Sequence, residues 1–156
     1  MNYEETQYGF VFIIGFVLAG ILMIFAYVYK WGNNPISQIP FMILSGVFAV
    51  ILALFYKLEV RIENRKILII YGIGLIRIKI EPDRYYNSEE FKVPWYYGLG
   101  IRITPGGMLY NLRGDRAVII ELQTKGVKKT IIIGTADPKR LKIFLNRHFA
   151  VIKENS

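Results

Sequence analysis

The sequence predicts a membrane-anchored α+β protein. A two-helix transmembrane hairpin comes first, then a mainly-β domain of about seven strands capped by a C-terminal helix. Three observations predict it. Residues 6–56 hold one charged side chain, Lys30, which separates two apolar stretches, 6–29 and 31–56. At about 20 apolar residues per crossing, each is long enough to span a bilayer. After Lys57 the chain turns charged and alternating, with the period of two that a half-buried strand requires. From Asp137 the period lengthens to that of a helix. The division is residues 1–57 for the hairpin and 58–156 for the domain.

Charge is split unevenly between the two parts. Residues 1–56 carry Glu4, Glu5 and Lys30, a net of −1, so the rest of this +8 chain carries +9. A basic domain beside a membrane is attracted to anionic head groups. The 53% hydrophobic content is odd for a small soluble protein and natural once the two spans are set aside.

The first helix is expected from about Tyr8 to Tyr29. The leader before it, Met1-Asn2-Tyr3-Glu4-Glu5, is acidic, and the apolar run is long, so it does not read as a cleaved signal peptide. Tyr27, Tyr29 and Trp31 suit an interfacial belt. Residues 30–38 form a turn by composition, and Pro40 suits the first turn of the second helix, where a missing N–H costs nothing. Lys57, Arg61, Arg65 and Lys66 follow the second span, against Lys30 alone in the loop. The basic side is therefore expected to be cytoplasmic, with both termini on it. Small residues recur at a spacing of four: Gly15 and Ala19 on the first span; Ser45, Ala49 and Ala53 on the second. They are the helix-packing candidates, within the hairpin or between chains. Neither span contains an ionisable residue, which favours an anchor over a transporter.

In the domain, 58–63, 67–71 and 76–81 alternate as three strands of a meander. Residues 81–84 and 87–90 read as loop. Residues 100–104 and 108–110 are short strands about Pro105-Gly106-Gly107; 117–124 and 129–134 make a hairpin. Asp137-Pro138 is an N-cap followed by proline, and Leu141, Phe144, Leu145 and His148 share one helical face.

The run Trp95-Tyr96-Tyr97-Gly98-Leu99-Gly100-Ile101-Arg102-Ile103-Thr104-Pro105-Gly106-Gly107-Met108-Leu109-Tyr110-Asn111 resembles bacterial pleckstrin-homology-like (PH-like) membrane proteins. So does its continuation from Ala117-Val118-Ile119-Ile120-Glu121-Leu122 through Ile133-Gly134-Thr135-Ala136-Asp137-Pro138. Many small members of that group carry two transmembrane helices ahead of the domain. The resemblance implies a partly open PH-like barrel closed by the last helix, and little about activity. Domains of this kind that read phosphoinositides carry a basic motif on the first hairpin. Here Arg65 and Lys66 lie in that turn, but the strand 67–71 has no basic residue, which argues against stereospecific inositol-phosphate recognition. The usual tryptophan of the capping helix is absent, with Phe144 as its stand-in.

Little chemistry is on offer. The chain has no cysteine, which excludes disulfides, thiol catalysis and cysteine-ligated zinc. His148, the only histidine, reads as a core-edge residue near a helix C-terminus. Ser37 and Ser88 have no neighbouring base in sequence, Ser45 falls in a span and Ser156 is terminal. Glu89-Glu90 reads as two solvated acids, and the glycines at 98–100 and 105–107 as hairpin glycines rather than a phosphate cradle. No enzyme activity, catalytic residue, metal site or cofactor is expected. Trp95, Tyr96 and Tyr97 are expected first to fill the barrel end and second to form an aromatic wedge at the bilayer interface. Arg102, Arg113 and Arg116 nearby could pair with them on nucleic acid, a partner not expected of a tethered domain.

The functional expectation is a non-enzymatic, multi-pass protein of the cell membrane whose cytoplasmic domain binds a protein or anionic lipids. Lys57, Arg61, Arg65 and Lys66 are the lipid-contact candidates, because they are close in sequence to the end of the second helix. The alternative is an accessory subunit that assembles through its helices with another membrane protein or a second copy.

Overall fold

The computed structural model describes residues 2–112 and 114–149. Two helices, α1 (Phe10–Val28) and α2 (Gln38–Phe55), stand outside the rest of the chain, and neither has a fully buried side chain. Both are long and apolar enough to cross a membrane. At about 1.5 Å per residue each is about 28 Å long, close to the thickness of a hydrocarbon core. The helices are joined by a turn in which Lys30 and Gly32 take positive φ.

Aromatic rings zip the pair together. Phe12 meets Phe55 at 6.1 Å between centroids, Phe16 meets Phe48 at 5.3 Å, and Tyr27 stacks on Phe41 at 4.2 Å. The small-residue pattern divides instead of forming one seam. Ala19 and Ser45 are partly covered, whereas Gly15 and Ala49 are exposed. A methyl group added at Gly15 would meet nothing within 4 Å. Ser45 bonds its own helix, its hydroxyl donating to the Phe41 carbonyl at 2.8 Å.

Among the described residues, nine strands form two sheets. The first has the order β1-β2-β3-β4, built from β1 (Tyr3–Tyr8), β2 (Lys57–Glu63), β3 (Lys66–Tyr71) and β4 (Ile76–Ile80), all antiparallel. The second has the order β5-β8-β9-β7-β6, from β5 (Arg84–Lys92), β6 (Gly100–Thr104), β7 (Gly107–Asn111), β8 (Arg116–Thr124) and β9 (Val127–Gly134). In this sheet β7 and β9 run parallel, and the other described pairs are antiparallel. The last helix, α3 (Pro138–His148), packs on β5 and β8. The Asp137 side chain accepts from the Arg140 N–H at 3.0 Å, as an N-cap should.

One core joins these layers. Leu58, Val60, Ile62, Ile67 and Ile69 come from the first sheet; Val118, Ile120, Leu122 and Ile133 from the second; Leu141 and Leu145 from α3. Phe144, the expected stand-in for a capping tryptophan, packs against its edge and meets the Tyr3 ring at 5.3 Å. A smaller cluster of Val93, Leu109, Ala117 and Ile132 lies apart, with Tyr97 packed on it.

Three features differ from the sequence reading. The leader is strand β1, paired residue by residue with β2 from Tyr3↔Ile62 to Tyr8↔Lys57. The boundary at residue 57 therefore separates helices from sheets, but the first sheet takes strands from both sides of it. Residues 84–92 form a strand rather than loops. A bulge between Tyr85 and Asn87 breaks the alternation, and the outward positions are polar. The strand count after Lys57 is eight among the described residues, one more than expected.

Candidate functional site

The domain is bonded to the helix ends at several points. The Gly9 N–H donates to the Tyr56 carbonyl at 3.0 Å, continuing the β1–β2 ladder between the two helices. On one side, the β3–β4 turn reaches α2: the Ile73 N–H donates to the Ala53 carbonyl at 3.1 Å. Gly72 makes that approach feasible, with φ +55°; a Cβ there would fall 2.1 Å from the same carbonyl oxygen. On the other side, Leu112 lies against Gly9, where a Cβ would come within 2.9 Å of its side chain.

Strand β1 is latched to the second sheet as well. The Gln7 side-chain amide donates to the Gly134 carbonyl at 2.7 Å. Glu5 accepts from the Thr135 hydroxyl and the Ala136 N–H, both at 2.7 Å, and from the Tyr3 hydroxyl. Burial, then the hydrogen bond to Glu5, pushes the Tyr3 hydroxyl pKa up. Polar inward residues explain why the leader lacks a hydrophobic alternation and still forms a strand.

The four lipid-contact candidates are not brought together. Lys57 sits at the helix-proximal end of β2, pairing with Glu59 at 3.7 Å and lying over the Tyr56 ring at 5.9 Å. Arg61 is midway, bonded to Glu59 and 3.4 Å from Glu4. Arg65 is in the β2–β3 turn, with φ +59°. At about 3.3 Å per residue that turn is roughly 25 Å along the strand from Lys57. Lys66 follows it, paired with Glu81 at 3.0 Å. Chain proximity to α2 did not translate into spatial proximity, because β2 leads directly away from the helix end. Arg65 and Lys66 crown the far end of the domain.

The near end exposes large apolar side chains beside charged ones such as Lys92 and Asp115. Ile73 and Leu75 in the β3–β4 turn are 61% and 74% exposed. The aromatic run forms a single 3₁₀ turn, Trp95–Tyr97, between Pro94 and Gly98 (φ +68°). It does not pack into the domain as a unit: Trp95 is 90% and Tyr96 65% exposed, and Tyr97 packs inward. Trp95 lines a cavity of about 720 Å³ together with Val11 of α1, Val93, Pro94 and Asp115. Arg102 lies on this side, its Nε–H donating to the Leu99 carbonyl at 3.3 Å. Arg116 begins β8, and Arg113 lies outside the described residues. No signal in the sequence separated exposed from packed aromatics, since both lie beside Pro and Gly.

A second concavity, of about 680 Å³, lies between β1 and α3, lined by Tyr3, Arg140, Ile143, Phe144, Arg147 and His148 among others. His148 stacks on Phe144 at 5.2 Å and meets Phe149 edge-on, the core-edge placement its helix face suggests. Glu89 and Glu90 project from β5, where Glu89 accepts from Asn87 at 2.9 Å. Comparison with protein-family models, with curated proteins and with solved structures gave no match.

Proposed function

We propose that this chain is a non-enzymatic integral membrane protein whose PH-like domain is held at the cytoplasmic face of the cell membrane as a binding module for anionic lipid or protein. The observation that carries the reading is the double attachment of the domain to its helices. β1 enters α1 and β2 leaves α2 as neighbours in one ladder, and the β3–β4 turn bonds α2 again at Ala53. A domain fixed this way keeps one end at the membrane surface rather than hanging on a tether. The ladder also supports both termini on one side, and the excess of Lys and Arg after α2 over the lone Lys30 supports that side being cytoplasmic.

The lipid arm is tested on the full chain in mixed micelles of phosphatidylcholine and phosphatidylglycerol. The expected result is retention of the anionic lipid over the neutral one, lost at high salt and weakened by Lys57→Gln with Arg61→Gln. Equal retention at low salt eliminates the lipid arm and leaves a protein ligand, sought by crosslinking in native membranes.

One observation favours the alternative of an accessory subunit. Gly15 and Ala49 face outward from the helical pair, where a partner helix or a second copy could approach closely. Gly15→Leu with Ala49→Leu then releases a crosslinked partner without unfolding the domain.

A further inference from the structure

We propose that the helix-proximal rim of the domain is a second membrane contact, in which Ile73, Leu75, Trp95 and Tyr96 dip into the boundary between head groups and acyl chains of the leaflet that α1 and α2 leave. The proposal rests on α1 and α2 spanning the bilayer, but not on any preference for anionic lipid.

Two separate loops carry these residues, and each is fixed in depth by a helix. The Ile73 N–H bonds the carbonyl of Ala53, within the last turn of α2. Trp95 shares its cavity wall with Val11, in the first turn of α1, itself exposed beside exposed Phe10. Apolar loop residues therefore adjoin the apolar helix surface at the ends of both helices, with Lys92 and Asp115 beside Trp95. Left in water, four such side chains on one rim would form a sticky patch. Tryptophan and tyrosine favour the membrane–water interface, where the ring body is apolar and the N–H or O–H reaches water. Arg77 and Arg102 flank them from the adjoining strands. Each spends its Nε–H on a loop carbonyl, of Gly74 and of Leu99, and its exposed guanidinium keeps donors for lipid phosphate. The opposite end of the domain has the reverse character: its turns carry Asn64-Arg65, Pro82-Asp83 and Lys125-Gly126.

The chain has two tryptophans, so Trp31→Phe leaves Trp95 as the sole reporter in the full protein. In nanodiscs of phosphatidylcholine alone, Trp95 emission should shift to the blue and resist aqueous iodide. Bromines on the upper acyl carbons should quench it more strongly than bromines at the chain ends. Ile73→Asp with Leu75→Asp should reduce that quenching while the β circular-dichroism signal is kept. Emission at the wavelength of water-exposed tryptophan, with free iodide access and no quenching by brominated lipid, overturns the proposal. So does shielding that appears only in native membranes, which would place a protein on the rim. Shielding that appears only with two chains per disc overturns it too, in favour of a second copy. Because the discs are neutral, quenching is independent of the lipid-retention experiment, and either result can fail without the other.

Discussion

Gly72 is the residue on which the attachment of domain to helix turns. Its positive φ and its contact with the α2 backbone each exclude a side chain, and the contacting atom is a carbonyl that cannot swing away. Gly72→Ala should destabilise the full chain by about 3 kcal/mol, from left-handed strain plus a backbone clash. Gly15→Ala, which meets open space, should change stability by no more than about 0.5 kcal/mol. Thermal melts in one detergent compare the two, and equal effects would discredit the contact. Glu81 is a residue whose charge state matters at low pH. Hydrogen bonds from Lys79 and then Lys66, reinforced by their charges, hold its pKa down at about 2 from the usual 4.5. A depressed carboxylate contributes stability that is present above pH 4.5 and lost as pH falls toward 2. The group is fully exposed, so salt should erase most of the effect. Carboxyl-detected NMR should find Glu81 titrating well below the usual glutamate value, and Lys79→Gln should move it upward. Lys66, a lipid-contact candidate from the sequence, pairs with this carboxylate beside the β2–β3 turn.

At the scale of elements, β1 decides whether the domain can stand alone. Residues 57–156 lack it, which bares the hydrogen-bonding edge of β2 and removes Tyr3 and Gln7 from their buried places. Joining Gly9 to Tyr56 through Asn-Gly, in place of residues 10–55, should close β1 and β2 as a tight hairpin. The joined chain should unfold cooperatively in urea, whereas the fragment beginning at Lys57 should be less stable or aggregate. Equal stability of the two would make β1 an ornament. Strands β2, β3, β4, β6, β7, β8 and β9 were legible in the sequence because their apolar residues alternate between turn signals. Strands β1 and β5 were not. Gln7 and Ser88 occupy their inward, buried positions, and a bulge shifts the phase of β5. Helix α3 was legible from its cap and face. Its N-cap bond and its buried Leu141 and Leu145 follow that reading.

At the scale of the whole molecule, the sequence separates apolar helices from a β-rich domain but says little about which end of the domain meets the helices. Charge counting favours the segment nearest α2, and a strand carries its charge away at over 3 Å per residue. The exposed apolar positions at the near end come from turns separated by about twenty residues in sequence, Ile73-to-Leu75 and Trp95-to-Tyr96. Each turn lies against a different helix end, Ile73 at α2 and Trp95 near Val11 of α1, and no local pattern encodes that placement. In the helix pair, spacing by four picked out Ala19, Ser45 and Ala53, which are partly covered, and Gly15 and Ala49, which are exposed. It did not pick out the phenylalanines at 12, 16, 48 and 55 that meet between the helices.

The pairing of β1 with β2 also orders the birth of the protein. β1 leaves the ribosome before either helix, and β2 only after both. In the proposed membrane topology the two can meet only if α1 and α2 have been threaded with their outer ends on the same side of the bilayer. A chain with one helix left out or inverted keeps its strands on opposite sides, with the β2 edge bare and Glu5 far from Thr135 and Ala136. In that topology a closed sheet distinguishes a chain whose helices crossed as a pair from one in which a single helix crossed, and the latter stays open to proteolysis.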